Sequence, residues 1–369
     1  MAVSKNEVVG WGLIGCGVIA PTHAKAVQKV EGAKLVACCD VIRDAAEARA
    51  TEFGEAGCAV YTDLEKMLAD PNVDAVSICT PSGMHSANGV MAAQAGKHIL
   101  CEKPMDVTLE AIDALIAAAA GNNVKLAGVF QRRTYDSSKK VREAVRTGKL
   151  GKIVVGDSYQ KYFRSHEYYA SGAWRATWDL DGGGALMNQG VHGIDLLLYI
   201  MGDIKRLNAR CRTLVRNIAV EDTAVASVEF VNGALGVIEG TTSVTPGMGG
   251  KIEVSGDHGT IVLDGDNITV WDVPSDEAVE TSDGGDVGAG RDAAAGLGEK
   301  GHVTHVADLV DAIWNDREPE IPGREARRAV EVIKAIYLSS RRGGETVELP
   351  LSYDDDGPGI DDRGASWDW

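Results

Sequence analysis

From residue 8 to about residue 125, short uninterrupted apolar runs alternate with segments in which apolar residues recur every three or four positions. The runs are VVGWGLIG, KLVACCD, DAVSICTP, HILCEK and VKLAGVF. Between them lie helical patterns near Thr22 to Val30, through DAAEARATEF, around Ser86 to Ala95 and around Leu109 to Ala120. A strand that is apolar throughout has both faces covered, so this alternation predicts a parallel sheet wrapped by crossover helices. After Phe130 the texture changes to longer alternating segments: KIVVGDSYQKYF, AVASVEFVNGALGVIEGTT and KIEVSGDHGTIVLDGDNITVW. That alternation, with turn signals such as Val-Asn-Gly and Asp-Gly-Asp, predicts antiparallel strands. The expected organisation is an α/β domain over 1–127, an α+β domain with a large, mostly antiparallel sheet over 128–353, and a flexible acidic tail over 354–369. Residues 282–300 read as a flexible surface loop, ahead of helices beginning near Val303 and Arg324, and no internal repeat is visible.

Composition narrows the partners. The 369-residue chain is 44% hydrophobic, which is ordinary for a globular protein with two cores. No leader pattern and no run of about 18 apolar residues is visible, so the reading is neither secreted nor membrane-spanning. Seven cysteines, an odd number, include Cys16, Cys38, Cys39, Cys79 and Cys101 in or beside apolar runs, which predicts reduced core thiols in a cytoplasm. No cysteine-histidine cluster has metal spacing, so no metal is expected. A formal charge of −17 with no basic stripe disfavours nucleic acid and anionic membranes and leaves small molecules as partners.

GLIGCGVIA carries Gly15, Gly17 and Ala20 as G-x-G-x-x-A directly after the first apolar run, with Val18 and Ile19 completing the loop. Glycine at 15 suits a tight turn, glycine at 17 lets the backbone approach a pyrophosphate, and a small residue at 20 lets the helix sit close to the sheet. The helix N-terminus then offers amides to the phosphates. Asp40 ends the second run twenty residues after Ala20, where a carboxylate would hold both ribose hydroxyls and repel a 2′-phosphate. NAD is therefore favoured over NADP, although Arg43 lies near enough to accommodate a phosphate. The alternative is a plain tight turn, with Asp40 capping a helix.

ILCEKPMD, residues 99–106, places Glu102, Lys103 and Pro104 where a buried strand stops. That is either an ordinary way to end a strand or a lysine held for chemistry at a strand's carboxyl end. In MNQGVHGID, Asn188, His192 and Asp195 fall at i, i+4 and i+7, one face of a helix. Taken alone, that stripe reads as a polar face or a core histidine with its hydrogen bonds satisfied.

With the glycine motif, CTPSGMH at 79–85, CEKP at 101–104, GGGALMNQGVHGIDLL at 182–197 and GREARRAVEVIKAIYLS at 323–339 present in order, the sequence resembles the glucose-fructose oxidoreductase/inositol dehydrogenase/MocA family along nearly its whole length. The resemblance implies a Rossmann domain, a second domain that often mediates oligomerisation, and an active site in the cleft between them. It implies that Lys103 lies beside the nicotinamide and substrate as a catalytic residue, with Glu102 and the Thr80–Pro81 loop on the cofactor's ribose side. Partial burial would lower the lysine's pKa toward neutrality. It also makes His192 the histidine that accepts or relays the hydroxyl proton. Many inositol-dehydrogenase-like members carry an aspartate four residues before that histidine. Here it is Asn188, which cannot carry the charge but can orient a substrate hydroxyl. Asp195 reads as a supporting charge rather than a catalytic one.

The stretch 159–178 is dense in aromatic and cationic groups, and Lys161, Arg164, Trp174 and Arg175 are expected on the substrate side. His85 and Arg132 are cofactor- or substrate-loop candidates by position, whereas His302 and His305, lacking a third ligand, read as structural. The expected activity is NAD-dependent oxidation of a secondary hydroxyl of a sugar, sugar derivative or cyclitol by a homo-oligomer. Two other readings stay open: an enzyme that oxidises transiently to cleave a glycosidic bond, and a cofactor sensor without turnover.

Overall fold

The computed structural model describes residues 7–274, 281 and 299–355. The chain divides into two compact units, one formed by Met1–Gln131 with Leu297–Arg327 and the other by Arg132–Gly296 with Arg328–Trp369. Residues 297–327, read from the sequence as part of the second domain, therefore group with the first. The expected flexible loop at 282–300 and the acidic tail fall almost wholly outside the described residues; Glu299 and Lys300 already belong to a helix, and Tyr353–Asp355 form a helical turn.

The first unit carries the predicted alternation. Its strands are β1 (Val9–Ile14), β2 (Ala33–Cys39), β3 (Ala59–Tyr61), β4 (Ala75–Ile78), β5 (His98–Cys101) and β6 (Leu126–Gly128). Its helices are α1 (Ala20–Lys29), α2 (Arg43–Phe53), α3 (Leu64–Leu68), α4 (His85–Gln94) and α5 (Leu109–Gly121). The strands run parallel in the order β3-β2-β1-β4-β5-β6. All six residues of β1 are buried, as an apolar run flanked on both faces requires. Because the order reverses at β1, the carboxyl ends of β1 and β4 lie side by side, the position where open parallel sheets bind ligands. β3 and α3 escape a sequence reading because three and five residues are too few to establish a period.

The second unit contains α6 (Asp136–Arg146), β7 (Ile153–Lys161), α7 (His166–Ala170), α8 (Val191–Met201), β8 (Ile204–Arg212), β9 (Thr223–Phe230), β10 (Leu235–Thr241), β11 (Gly249–Gly256), β12 (Thr260–Asp264) and β13 (Asn267–Asp272). After α9 (Glu299–Trp314) and α10 (Gly323–Arg341), β14 (Val347–Glu348) completes its eight-stranded sheet in the order β13-β12-β11-β7-β10-β9-β8-β14. Every pairing is antiparallel except β10 with β7. Val-Asn-Gly and Asp-Gly-Asp form the turns β9–β10 and β12–β13, with Gly233 and Gly265 at φ of 88° and 61°. Helix α8 lies on β7 so closely that a Cβ on Gly193 would overlap the Gln160 amide.

Returning to the first unit, α9 aligns Val306, Leu309, Val310 and Ile313 on one stripe, and this stripe joins Trp11, Leu13 and Leu35 of the sheet and Ala20, Ala24 and Val27 of α1 in a single core. No helix among the described residues is long and apolar enough to cross a membrane.

Candidate active site

At the switch point, Gly15 adopts a φ of 86°, and a Cβ there would stand 2.9 Å from the Cys79 carbonyl and the Thr80 amide. Only glycine fits that turn. A Cβ at Gly17 would meet nothing within 4 Å, so the backbone there is open to a ligand. Ala20 is fully buried as the first residue of α1, Val18 is exposed, and Ile19 caps the helix with no side-chain bond. The first-turn amides are therefore not occupied by a capping side chain, which fits an anionic pyrophosphate. Asp40 follows β2, where its carboxylate accepts from the Cys16 amide at 2.7 Å and the Ile42 amide at 2.8 Å. It thus ties the glycine loop to the end of β2. Arg43 is paired with Glu47 at 2.7 Å.

Behind this surface the chain after β4 and β5 is tied from within. The His85 ring faces two carbonyl oxygens, Pro104 at 2.7 Å and Thr80 at 2.8 Å, and is buried. It fastens the Thr80–Pro81 turn to the E-K-P turn instead of facing outward. The Asn88 amide donates to Thr80 Oγ1 at 3.1 Å. Glu102, expected on the cofactor's ribose side, also turns inward. Its Oε1 lies 2.8 Å from His23 Nε2 and 3.1 Å from His302 Nε2, and its Oε2 accepts the Lys103 amide at 3.0 Å. Burial alone would push this carboxyl up, but the two histidines outweigh it and hold it well below the usual carboxylate range. Lys103 itself is half-buried just past β5. His302, read as structural for want of a third ligand, meets Glu102 at the same oxygen that His23 approaches, and these two residues lie 200 and 279 positions earlier in the chain.

In the second unit the aromatic-cationic stretch and the segment before α8 form one network. Tyr168 Oη accepts from Arg175 Nη1 at 2.7 Å and from Gln189 Nε2 at 3.1 Å, and donates to Asn188 Oδ1 at 3.3 Å. Asn188 Nδ2 donates to Asp181 at 2.7 Å, and Arg164, buried, reaches Gln189 Oε1 at 2.8 Å. The Arg175 guanidinium covers both the Tyr168 and Trp174 rings, with centroids at 4.3 and 4.6 Å. Asn188, Arg164, Trp174 and Arg175 thus come together, with Tyr168, Asp181 and Gln189 as members that the sequence did not single out.

Lys161 stands apart. Strand alternation puts it on the face of β7 opposite Gln160 and α8, where it lies 3.4 Å from Glu239. Arg132 donates to Tyr162 Oη at 3.4 Å within the second unit.

The one-face arrangement expected of Asn188, His192 and Asp195 is modified. Residues Ala185–Gly190 form a π-helix, and the α-helical winding starts only at Val191, so the i, i+4 spacing spans a change of pitch. His192 lies half-buried in the first turn of α8. Asp195 is buried against Arg133, with bonds of 2.8 and 2.5 Å.

Glu221 anchors this segment. Its carboxylate accepts from the amides of Gly184 and Leu186, each at 2.9 Å, and from Tyr337 Oη at 2.8 Å. A Cβ on Gly183 or Gly184 would strike the Tyr337 hydroxyl or the Glu221 carbonyl, which explains the glycine run there. Burial pushes the Glu221 carboxyl up to about 7 against the pull of those donors. A raised folded-state pKa means the folded chain holds this proton more tightly than the unfolded one. The associated stability is present below pH about 4.5 and disappears as pH rises through about 7. Denaturant unfolding should show wild type losing roughly 3 kcal/mol relative to Glu221→Gln between pH 4.5 and 8. Parallel curves for the two proteins would contradict the assignment.

A family model described as an oxidoreductase family with an NAD-binding Rossmann fold matches residues 9–130, and one described as the GFO/IDH/MocA C-terminal domain matches 138–262. The chain belongs to the Gfo/Idh/MocA family. Members similar to it include myo-inositol 2-dehydrogenase of Thermotoga maritima, 32% identical over 69% of this chain and 74% of that protein. D-Apiose dehydrogenase of Paraburkholderia graminis is 27% identical over 91% and 88%. Among solved structures, the WlbA dehydrogenase from Bordetella pertussis in complex with NADH and UDP-GlcNAcA is 32% identical, covers 94% of this chain and 100% of that one, and superposes with a TM-score of 0.83. As a Gfo/Idh/MocA protein, the chain is an NAD-dependent oxidoreductase, and the open Gly17, the uncapped start of α1 and Asp40 after β2 fit that cofactor.

Proposed function

We propose that this protein is a dehydrogenase that oxidises a secondary hydroxyl of a sugar, sugar derivative or cyclitol to a ketone, and runs the reverse. The observation that carries this reading is Lys103 at the carboxyl end of β5, in the sheet whose β1–β4 switch point bears the open glycine loop. The inositol and apiose dehydrogenases among its relatives support the substrate class. When bound, NAD supplies the hydride acceptor for the carbinol carbon. Lys103 and His192 carry the hydroxyl proton away, leaving a carbonyl. The Asn188 amide orients a neighbouring hydroxyl, and Trp174 with Arg164 and Arg175 offers the apolar and cationic surfaces a carbohydrate uses. The protein works as a homo-oligomer, a reading supported by Val225 and Leu235, 47% and 59% exposed on neighbouring strands of the eight-stranded sheet, and in the cytoplasm, a reading supported by its seven free cysteines.

Absorbance of reduced nicotinamide after mixing protein and NAD with cyclitols, aldoses, anhydrosugars, glycosides and nucleotide-sugars tests the activity. A rise with one class identifies the substrate family; silence across the panel, with NAD demonstrably bound, removes the proposal. Replacing Asp40 by serine is expected to improve the use of NADP relative to NAD, measured as the ratio of kcat/KM values. An unchanged ratio would separate Asp40 from cofactor choice.

A further inference from the structure

Four buried polar side chains form a line through the core of the first unit. Trp11 Nε1 donates to Ser77 Oγ at 2.9 Å, Ser77 Oγ lies 2.9 Å from His23 Nδ1, and His23 Nε2 lies 2.8 Å from Glu102 Oε1. Trp11, Ser77 and His23 have no exposed surface, and Glu102 has 6%. An indole N–H only donates, so the serine hydroxyl accepts it and has its own proton for His23 Nδ1. The ring proton of His23 then sits on Nε2 and points at the carboxylate. His302 approaches the same oxygen through Nε2, and its Nδ1 has no hydrogen-bond partner among the described residues.

We propose that His23 and His302 are positioning residues for Lys103: their Nε2–H groups hold the Glu102 carboxylate so that its second oxygen fixes the Lys103 backbone amide just beyond β5. This inference rests on the reading of Lys103 as a proton carrier. The physical case is that Lys103 has left the strand ladder, so the 3.0 Å bond from its amide to Glu102 Oε2 does the work a neighbouring strand would otherwise do. Both histidine donors fall on Oε1, leaving Oε2 for the lysine amide. The groups facing the carboxylate and its histidines are His85 from α4, His305 from α9, and the thiols Cys79 and Cys101 at the ends of β4 and β5. Burial holds His23 and His305 below the usual histidine range and both thiols well above theirs, each toward its uncharged form. The trio of His23, Glu102 and His302 has ligand atoms within 4.8 Å of one another, so a metal ion is the rival occupant.

The test uses the full chain with His23→Leu, His302→Leu, the donor-retaining His23→Gln and His302→Gln, and Lys103→Ala. Each leucine variant is expected to bind NAD near parental affinity and to lose about 10²-fold in kcat, the scale of a misplaced catalytic group. With fewer donors, Glu102 takes up a proton at higher pH, so the acid limb of the kcat profile should move to higher pH than in the parent. The glutamine variants should recover most of the rate and the parental profile. Amide exchange of the peptide containing Lys103 should be about tenfold faster in the leucine variants, a readout that needs no substrate. Unchanged exchange, or lost rate with an unmoved pH profile, overturns the clamp while leaving Lys103 catalytic. Full activity in Lys103→Ala overturns the reading beneath it. A divalent ion at one per chain in the purified protein, lost in either leucine variant, also overturns the hydrogen-bonded clamp.

Discussion

Lys103→Ala is expected to lower kcat roughly 10²–10⁴-fold, the range for removing a positioned general acid–base group, with NAD affinity near the parental value. The loss should fall on kcat and kcat/KM together, because proton transfer is an interaction made in the transition state. His192→Ala is expected to follow the same pattern. Asn188→Ala should mainly raise KM, since its amide binds and orients. Steady-state kinetics on the substrate found by absorbance decides this. If Asn188→Ala abolished turnover while His192→Ala left it nearly intact, the division of roles would be wrong.

The largest effect on stability is expected at Asp195. Removing its carboxylate leaves the Arg133 guanidinium buried, where it now makes bonds of 2.8 and 2.5 Å to that group. Breaking one side of a buried pair costs about 3–5 kcal/mol. Asp195→Ala should therefore lower the denaturant midpoint by a corresponding amount, whereas Asp195→Leu with Arg133→Leu should recover much of it, because two apolar residues leave no buried charge. Equal destabilisation in the single and double variants would show that the pair is not what holds α8.

The two kinds of sheet and the tight turn at Gly15 were legible in the sequence for definite reasons. β1 is apolar throughout and the segments after Phe130 alternate, so period and composition distinguished a covered parallel sheet from a half-open one. Gly15 and Asp40 are separated by one crossover, a distance over which a motif fixes geometry. The interior clamp was not legible because it gathers positions 11, 23, 77, 102 and 302, each ordinary in its own neighbourhood. A sequence can mark where β5 ends at Cys101 but not which way the next carboxylate faces. The π turn at Ala185–Gly190 likewise has no periodic signature, so a helical spacing between Asn188 and His192 was assumed across a change of pitch. Lys161 was open to better reading, because alternation along β7 already sets it opposite its neighbour Gln160.

The return of α9 to the first unit bears on how the protein is made. Val306, Leu309 and Val310 complete the core that begins with Val9 and Trp11, and His302 completes the donors to Glu102. A ribosome that has synthesised only the first six strands has therefore delivered a nucleotide fold with one flank uncovered, its apolar surface open until nearly two hundred further residues have been added. The nascent chain must carry that surface past the folding of the intervening sheet, which makes the early half a natural client for holding chaperones. It also means that cutting the gene after β6 isolates a fragment rather than a domain.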